Sequence, residues 1–176
     1  NIKTLEPLRP RFISTVDSGN FMACLYVVNQ FILELKDSSK YLTREVTEYN
    51  ENLDYIFEVN TKLMEEVDFK VLYDASRNLF HIGYAQESGN LIDSYYDMLM
   101  SENRTTSLIA IARRDVTSKH WFALSRNLID IDGYKGLTSW AGTAFEYFMP
   151  YIFTKSYSHT LVDQSLFFNK YSQMKY

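Results

Sequence analysis

Glu146 is a single carboxylate set among Trp140, Phe145, Tyr147 and Phe148, within the run Ser-Trp-Ala-Gly-Thr-Ala-Phe-Glu-Tyr-Phe-Met-Pro at 139–150. An ionised carboxylate in apolar surroundings must be paired, protonated or solvated, because leaving it bare is costly. Two readings follow. On the first, Glu146 is a first-turn acid that complements the dipole of a helix starting at Gly142 or Thr143. On the second, it is a catalytic acid whose pKa the aromatic neighbours raise by desolvation and the helix N-terminus lowers. Phe145 and Phe148 fall on another face of that helix and form the natural core pair.

Other carboxylates stand where they also serve acid–base or binding chemistry. Asp93 and Asp97 are four apart and, on one helix, share a face; they either flank a ligand or form a solvated first-turn pair. Asp17, in Ser-Thr-Val-Asp-Ser-Gly-Asn at 14–20, reads as a helix cap or as an acceptor for ligand hydroxyls, since caps and clefts both lie at helix starts. Glu102 and Arg104 are two apart and do not share a helix face, so Glu102 reads as a structural acid. Nucleophilic chemistry finds little support. There is no Gly-x-Ser-x-Gly elbow, and Cys24 lies in an apolar run without a nearby His and reads as a core thiol. His81, His120 and His159 are far apart, with no second ligand at metal spacing, so neither a metal site nor a cofactor is expected.

The elements that must position these residues read as mostly helical. Residues 14–20 are rich in capping types and precede a densely apolar run from Phe21 to Leu35, which predicts a buried helix. From about Ser39 to Val67, Leu42, Val46, Tyr49, Leu53, Ile56, Leu63, Met64 and Val67 recur at three-and-four spacing, which predicts a long amphipathic helix or two joined near Asn60. Glu45, Glu48, Glu51, Asp54 and Glu58 make its solvated face. Phe69–Tyr73 and Leu79–Tyr84, separated by Asp74-Ala75-Ser76-Arg77-Asn78, read as an inserted β-hairpin and the clearest β element. A third helix is expected from Asp93-Ser94 to about Arg113, with Tyr96, Leu99, Met100, Leu108, Ile109 and Ile111 towards the core. A helical turn at Ser118–Leu124, a strand and turn over Leu128–Gly133, a helix stopped or bent at Pro150, and a last helix from about Thr160 complete the reading.

Composition bounds the function classes. The 176 residues are 46% hydrophobic and 23% charged, the mixture of one globular domain. With 14 Tyr and 12 Phe, aromatic content exceeds what a core needs and points to sugar-binding clefts or interfaces. A net charge of −4 and the lack of a basic stripe argue against a nucleic-acid partner, and no polybasic patch or apolar run of transmembrane length points to direct membrane contact. The opening residues Asn1–Pro10 read as an extended connector, so the chain is expected to be a piece of a longer protein.

Six strings, in order, carry a resemblance: Ile-Ser-Thr-Val-Asp-Ser-Gly-Asn (13–20), Asp-Phe-Lys-Val-Leu-Tyr-Asp (68–74), Leu-Phe-His-Ile-Gly-Tyr (79–84), Asp-Ser-Tyr-Tyr-Asp-Met-Leu-Met-Ser-Glu-Asn-Arg (93–104), Lys-His-Trp-Phe (119–122) and the 139–150 run. From about Arg11 to Gln164 the chain resembles the central region of cyclic β-1,2-glucan synthases, large membrane-anchored enzymes. It departs from their pattern at His81, Asn103, Ala141 and Ala144, where Ser, Ala, Ser and Met are usual. The resemblance implies a mainly α fold, part of an (α/α)6-barrel with inserted β-hairpins. It also implies glycoamylase-like, glucan-cyclising transglycosylase chemistry on linear β-1,2-glucan, in which the chain's own end takes the glycosyl group. Expected partners are β-1,2-glucan and the remaining domains of a parent enzyme at the cytoplasmic face of the membrane. A part-barrel leaves apolar helix faces exposed, which favours homo-oligomers.

Glycosidic cleavage needs two carboxyl groups across the sugar, one protonating the leaving oxygen and one acting as nucleophile or base. Glu146 is the candidate for one of them or for its support. Asp17, Asp93 and Asp97 are candidate substrate-binding acids. Trp140, Tyr95, Tyr96 and Tyr147 could stack on glucose rings; a helical core accounts for most such aromatics, and Trp140 is the favoured one, with Tyr147 beside it as a substrate-binding candidate. An endo-β-1,2-glucanase-like hydrolase and a non-catalytic glucan-binding or scaffold segment are the alternatives.

Overall fold

The computed structural model describes residues 2–38 and 46–175. The chain divides into two compact units, one of residues 20–68 and the other of the residues up to Gly19 together with those from Phe69 onward.

In the larger unit, strand β1 (Phe12–Ser14) leads directly into helix α1 (Thr15–Ser38), whose first turn belongs to this unit. Ser14 is the cap: its hydroxyl accepts the Asp17 N–H at 3.1 Å, so Asp17 is a first-turn acid and not the cap itself. Thr15 then anchors the turn. Its N–H reaches the Ile82 carbonyl at 3.1 Å, and its hydroxyl donates to the His81 carbonyl at 2.6 Å.

The expected hairpin is present but shorter. Phe69–Leu72 forms a 3-10 turn that buries Phe69 and Leu72, and β2 (Tyr73–Asp74) pairs antiparallel with β3 (Leu79–His81). Between them Asp74 accepts the Ser76 N–H at 2.8 Å and the Arg77 N–H at 3.2 Å, an Asx-type turn. The run 79–84 breaks at Ile82, because β4 (Gly83–Ala85) joins another sheet between β1 and β5 (Asn90–Leu91).

The helix expected from Asp93 is corrected. Tyr95–Tyr96 forms strand β6 on the free edge of β3, with Phe80 opposite Tyr96 and His81 opposite Tyr95. Helix α3 spans only Arg104–Ala112. Tertiary pairing with an open edge overrides the helical spacing of the intervening apolar residues. Helix α4 (Lys119–Ala123) matches the predicted turn, and the strand over 128–131 has an unforeseen mate. β7 (Leu128–Ile131) and β8 (Tyr134–Leu137) pair over four residues each, making this the longest hairpin among the described residues. Helix α5 (Ala144–Phe148) runs into a 3-10 turn over Met149–Ile152 at Pro150, and helix α6 (Leu161–Lys175) follows.

The core of this unit gathers Leu99, Met100, Leu124, Leu137, Tyr147 and Phe168. β8 and α6 meet so closely that a Cβ on Gly136 would lie 2.5 Å from the Phe168 ring, which only glycine avoids. A second cluster stacks Phe80 edge-on against Phe69, Tyr73 and His120. Phe145 and Phe148, expected as a core pair, are 58% and 41% exposed, while their neighbours Glu146 and Tyr147 are buried. The short helix presents the opposite face from the one its apolar residues suggested.

The smaller unit contains α1 from Asn20 and helix α2 (Val46–Glu66), which is unbroken at Asn60. Positions Ser39 to Glu45, and the side chains of Val46, Glu48 and Tyr49, lie outside the described residues. The two helices are joined by polar groups: Asn29 Nδ2 donates to Thr61 Oγ1 and Asn60 Nδ2 to Asn29 Oδ1, both at 3.2 Å, and Lys36 pairs with Asp54. Met22, Leu25, Ile32 and Leu53 are buried. Phe21, Val27 and Phe31 are half exposed or more, so α1 is not the buried helix its composition predicted. Cys24, expected in the core, is exposed, because apolar residues surround α1 on every side and cannot all face inward.

Taken together, the chain is mainly helical with small antiparallel sheets.

Candidate functional site

Helix α5 begins with the signature Thr143-x-x-Glu146, a capping box. Thr143 Oγ1 accepts the Glu146 N–H at 3.5 Å, and the Glu146 carboxylate reaches back to the Thr143 N–H at 3.0 Å. The loop before the helix adds to this cup. The Thr143 hydroxyl donates to Oε2 at 2.9 Å, the Ser139 hydroxyl to Oε2 at 3.1 Å, and the Ala141 N–H to Oε1 and Oε2 at 3.1 and 3.2 Å.

The loop conformation depends on Gly142, whose φ of +69° few other residues adopt without strain. Its N–H donates to Ser139 Oγ at 3.0 Å. Its carbonyl accepts from Asn169 Nδ2 at 3.1 Å and Gln173 Nε2 at 3.2 Å, so α6 clamps the loop from outside.

Glu146 is 5% exposed. Burial is the largest single influence on its carboxyl and opposes ionisation. The N–H groups of Thr143 and Ala141 and the hydroxyls of Thr143 and Ser139 together outweigh it, holding the pKa below the ordinary value. Of the two opposing effects foreseen from the sequence, the stabilisation of charge wins. Glu146 is therefore an ionised carboxylate near neutral pH. Among the described residues Oε1 accepts only from Ala141, which leaves it a lone pair for another hydrogen bond.

The other predicted residues divide between surroundings. Trp140 sits in the same loop, 57% exposed, with its ring available to solvent. Tyr147 lies in the core; its hydroxyl donates to the Leu137 carbonyl at 2.5 Å, and burial, then the Glu146 charge, raises its pKa. Its own carbonyl accepts from Arg104 Nη2 at 3.2 Å, tying α5 to α3.

Asp93 and Asp97 flank strand β6, so they do not share a helix face; extended backbone spaces them by roughly 13 Å at about 3.3 Å per residue. Asp93 is exposed, while Asp97 Oδ1 is buried without a hydrogen-bond partner among the described residues. Asp17 is exposed on the first turn of α1. It lies within electrostatic reach of Tyr96, whose hydroxyl is pushed up to about 12 by burial first and then by Glu102 and Asp17. Asp17 and Glu102 thus share an electrostatic influence on Tyr96. No hydrogen bond among the described residues joins them to Glu146. Among the described residues, no group of His, Cys, Asp and Glu is arranged to hold a metal ion.

Sequence reasoning missed the cup of Ser139, Ala141 and Thr143, although Thr-x-x-Glu is the signal that marks it. It also missed a polar seam under the aromatic cluster. His120 Nδ1 lies 2.8 Å from the Asn78 carbonyl, so that nitrogen carries the proton, and Nε2, 2.8 Å from Ser107 Oγ, accepts. His120 and Ser107 resemble a base and nucleophile in arrangement but are 0% and 1% exposed, which makes them a structural pair.

No family model matches the chain. The chain is similar to the cyclic beta-(1,2)-glucan synthase NdvB of Rhizobium meliloti (strain 1021), with 43% identity over 84 residues, or 48% of this chain. It spans about 3% of the length of that relative. Among the described residues no helix is long and apolar enough to cross a membrane.

Proposed function

We propose that this chain is part of a carbohydrate-active enzyme of β-glucan synthesis, and that it belongs to a glucan-cyclising transglycosylase domain acting on linear β-1,2-glucan. The observation that carries the reading is the 43% identity over 84 residues to a cyclic β-1,2-glucan synthase. In this reading the mainly helical elements are part of a glycoamylase-like (α/α)6-barrel, completed by other segments of a parent enzyme at the cytoplasmic face of the membrane.

The Glu146 cup and Trp140 are the glucan-facing parts. Trp140 offers an exposed ring for a glucose face, and Oε1 of Glu146 offers a fixed negative acceptor. A carboxyl held below its ordinary pKa serves as nucleophile, base or hydroxyl acceptor better than as proton donor. The proton donor is then a different group.

One observation favours a second reading. Four donors already converge on the Glu146 carboxylate, as they do in a purely structural cap. A non-catalytic glucan-binding segment fits that arrangement.

The deciding experiment places Glu146→Gln in the complete parent enzyme, incubates it with linear β-1,2-glucan, and separates rings from shortened chains. Loss of turnover by about 10²-fold or more, with an unchanged circular dichroism spectrum, supports a reacting carboxylate. A loss under about tenfold assigns Glu146 to positioning or capping. Shortened chains without rings point to a hydrolase. The second carboxylate across the sugar belongs in this reading to other segments of the parent enzyme, so the chain by itself is expected to release neither rings nor reducing ends.

A further inference from the structure

Arg104 opens α3 yet is only 4% exposed. Its guanidinium donates to the Tyr147 carbonyl at 3.2 Å and approaches Met100 Sδ at 3.0 Å, and it lies 5.3 Å above the Tyr151 ring. Among the described residues no carboxylate lies within ion-pair distance of it. A buried cation without a counter-charge is costly, and burial pulls its pKa below the ordinary arginine value. The same side chain lines a cavity of about 460 Å³, together with Trp121, Tyr151, Tyr157, Lys155, Thr154 and Thr160.

The chemistry of that lining is specific. Two cations, Arg104 and Lys155, face a space otherwise walled by aromatic rings, the aliphatic Leu108 and Val162 and two threonines, and no acid lines it. The two threonine hydroxyls have committed their protons, Thr154 to the Pro150 carbonyl at 2.8 Å and Thr160 to the Tyr157 carbonyl at 2.9 Å. Each keeps a lone pair, so each accepts from a ligand hydroxyl and cannot donate to it. The cavity therefore asks for a ligand with one anionic group, hydroxyl donors and a ring with apolar faces. A neutral sugar leaves the guanidinium uncompensated, and a bare anion leaves the aromatic walls unused.

We propose that this cavity is a binding site for a monosaccharide bearing one anionic group, a phosphate or a carboxylate. The group sits between Arg104 and Lys155, and the pyranose lies against Trp121 and Tyr157. This is separate from the Glu146 cup and does not rest on the reading of that cup as glucan-facing.

The test uses the full chain carrying Trp140→Phe, which leaves Trp121 as the single tryptophan of the two in the sequence. Its fluorescence is titrated with glucose 6-phosphate, glucuronate, glucose and inorganic phosphate. Saturable change with glucose 6-phosphate or glucuronate is expected, and which of the two binds more tightly tells phosphate from carboxylate. Glucose and inorganic phosphate are expected to bind at least about tenfold more weakly, since each lacks one half of the recognition. Lys155→Gln and Tyr157→Ala, at exposed positions that leave the fold intact by circular dichroism, should each weaken binding about tenfold or more. Equal binding of glucose or of inorganic phosphate, no saturation by either anionic sugar up to about 10 mM, or full affinity in both variants overturns the proposal.

Discussion

The Thr143 hydroxyl donates to the Glu146 carboxylate at 2.9 Å across the first turn of α5, so the candidate reacting carboxylate is also part of the box that caps its own helix. Whatever Glu146 does for a ligand, it does from a geometry fixed by its own backbone. Thr143→Ala should lower unfolding free energy by about 1 kcal/mol in urea titrations, the usual effect of losing such a cap. An unchanged midpoint would show that Ser139 and Ala141 hold the loop without it.

The lowered pKa of Glu146 has a definite pH signature. Between the folded value and the ordinary 4.5, the unfolded chain binds the proton and the native chain does not, so stability rises with pH in that window. The contribution is present above about 4.5 and lost as pH falls through the folded value. The difference in urea midpoint between the parent and Glu146→Gln should therefore shrink below that pH. A gap that stays constant down to pH 3 would show that the carboxylate is not held ionised.

His120 acts in a higher window. Burial, only partly offset by the Asn78 carbonyl, lowers its pKa from 6.5, so the unfolded chain takes up a proton first as pH falls. Stability should decline from about pH 6.5 downward, before the carboxylates titrate. The check is the His120 ring signal by NMR alongside urea midpoints: a ring that titrates at or above its ordinary value would refute the argument.

Asn103 is 1% exposed, and among the described residues neither of its amide atoms has a hydrogen-bond partner. Truncating a buried polar side chain usually destabilises. Here Asn103→Ala removes two unsatisfied groups, worth about 1–3 kcal/mol each when buried, against the loss of packing. The variant is expected to be as stable as the parent or more so in thermal melts. A drop of several degrees would mean that Asn103 makes contacts its geometry does not show.

Gly136→Ala should be destabilising by about 1–3 kcal/mol, because the added methyl meets the Phe168 ring at 2.5 Å and the core must shift. The companion Phe168→Leu should recover part of that loss in the double variant. Independent, additive losses would place the strain elsewhere.

What was legible in the sequence is the local grammar. Ser14 and the capping types beyond it announced α1, Pro150 marked where α5 turns, and Asp130-Ile131-Asp132-Gly133 marked a turn that the structure closes with Gly133 N–H on Asp130 Oδ1 at 2.8 Å. What failed depended on partners distant in the chain. Tyr95 and Tyr96 carried helical spacing but joined the edge of β3, and Phe145 and Phe148 had core composition but lost the inward face to Glu146 and Tyr147. The site followed the same division. Glu146 could be singled out from its neighbours alone, whereas Arg104 was weighed only beside Glu102, because its burial appears only when Tyr147 and Tyr151 are folded over it.

The grip of Asn169 and Gln173 on the Gly142 carbonyl also sets an order of events on the ribosome. The loop that shapes the Glu146 cup is synthesised 27 and 31 residues before the groups that fasten it. At roughly 5–20 residues per second, the nascent chain carries an unfastened cup for a time on the order of seconds. Through that interval Trp140 and the acid beside it are exposed to the translation machinery and its chaperones, and the cup is completed only when the last turns of α6 emerge.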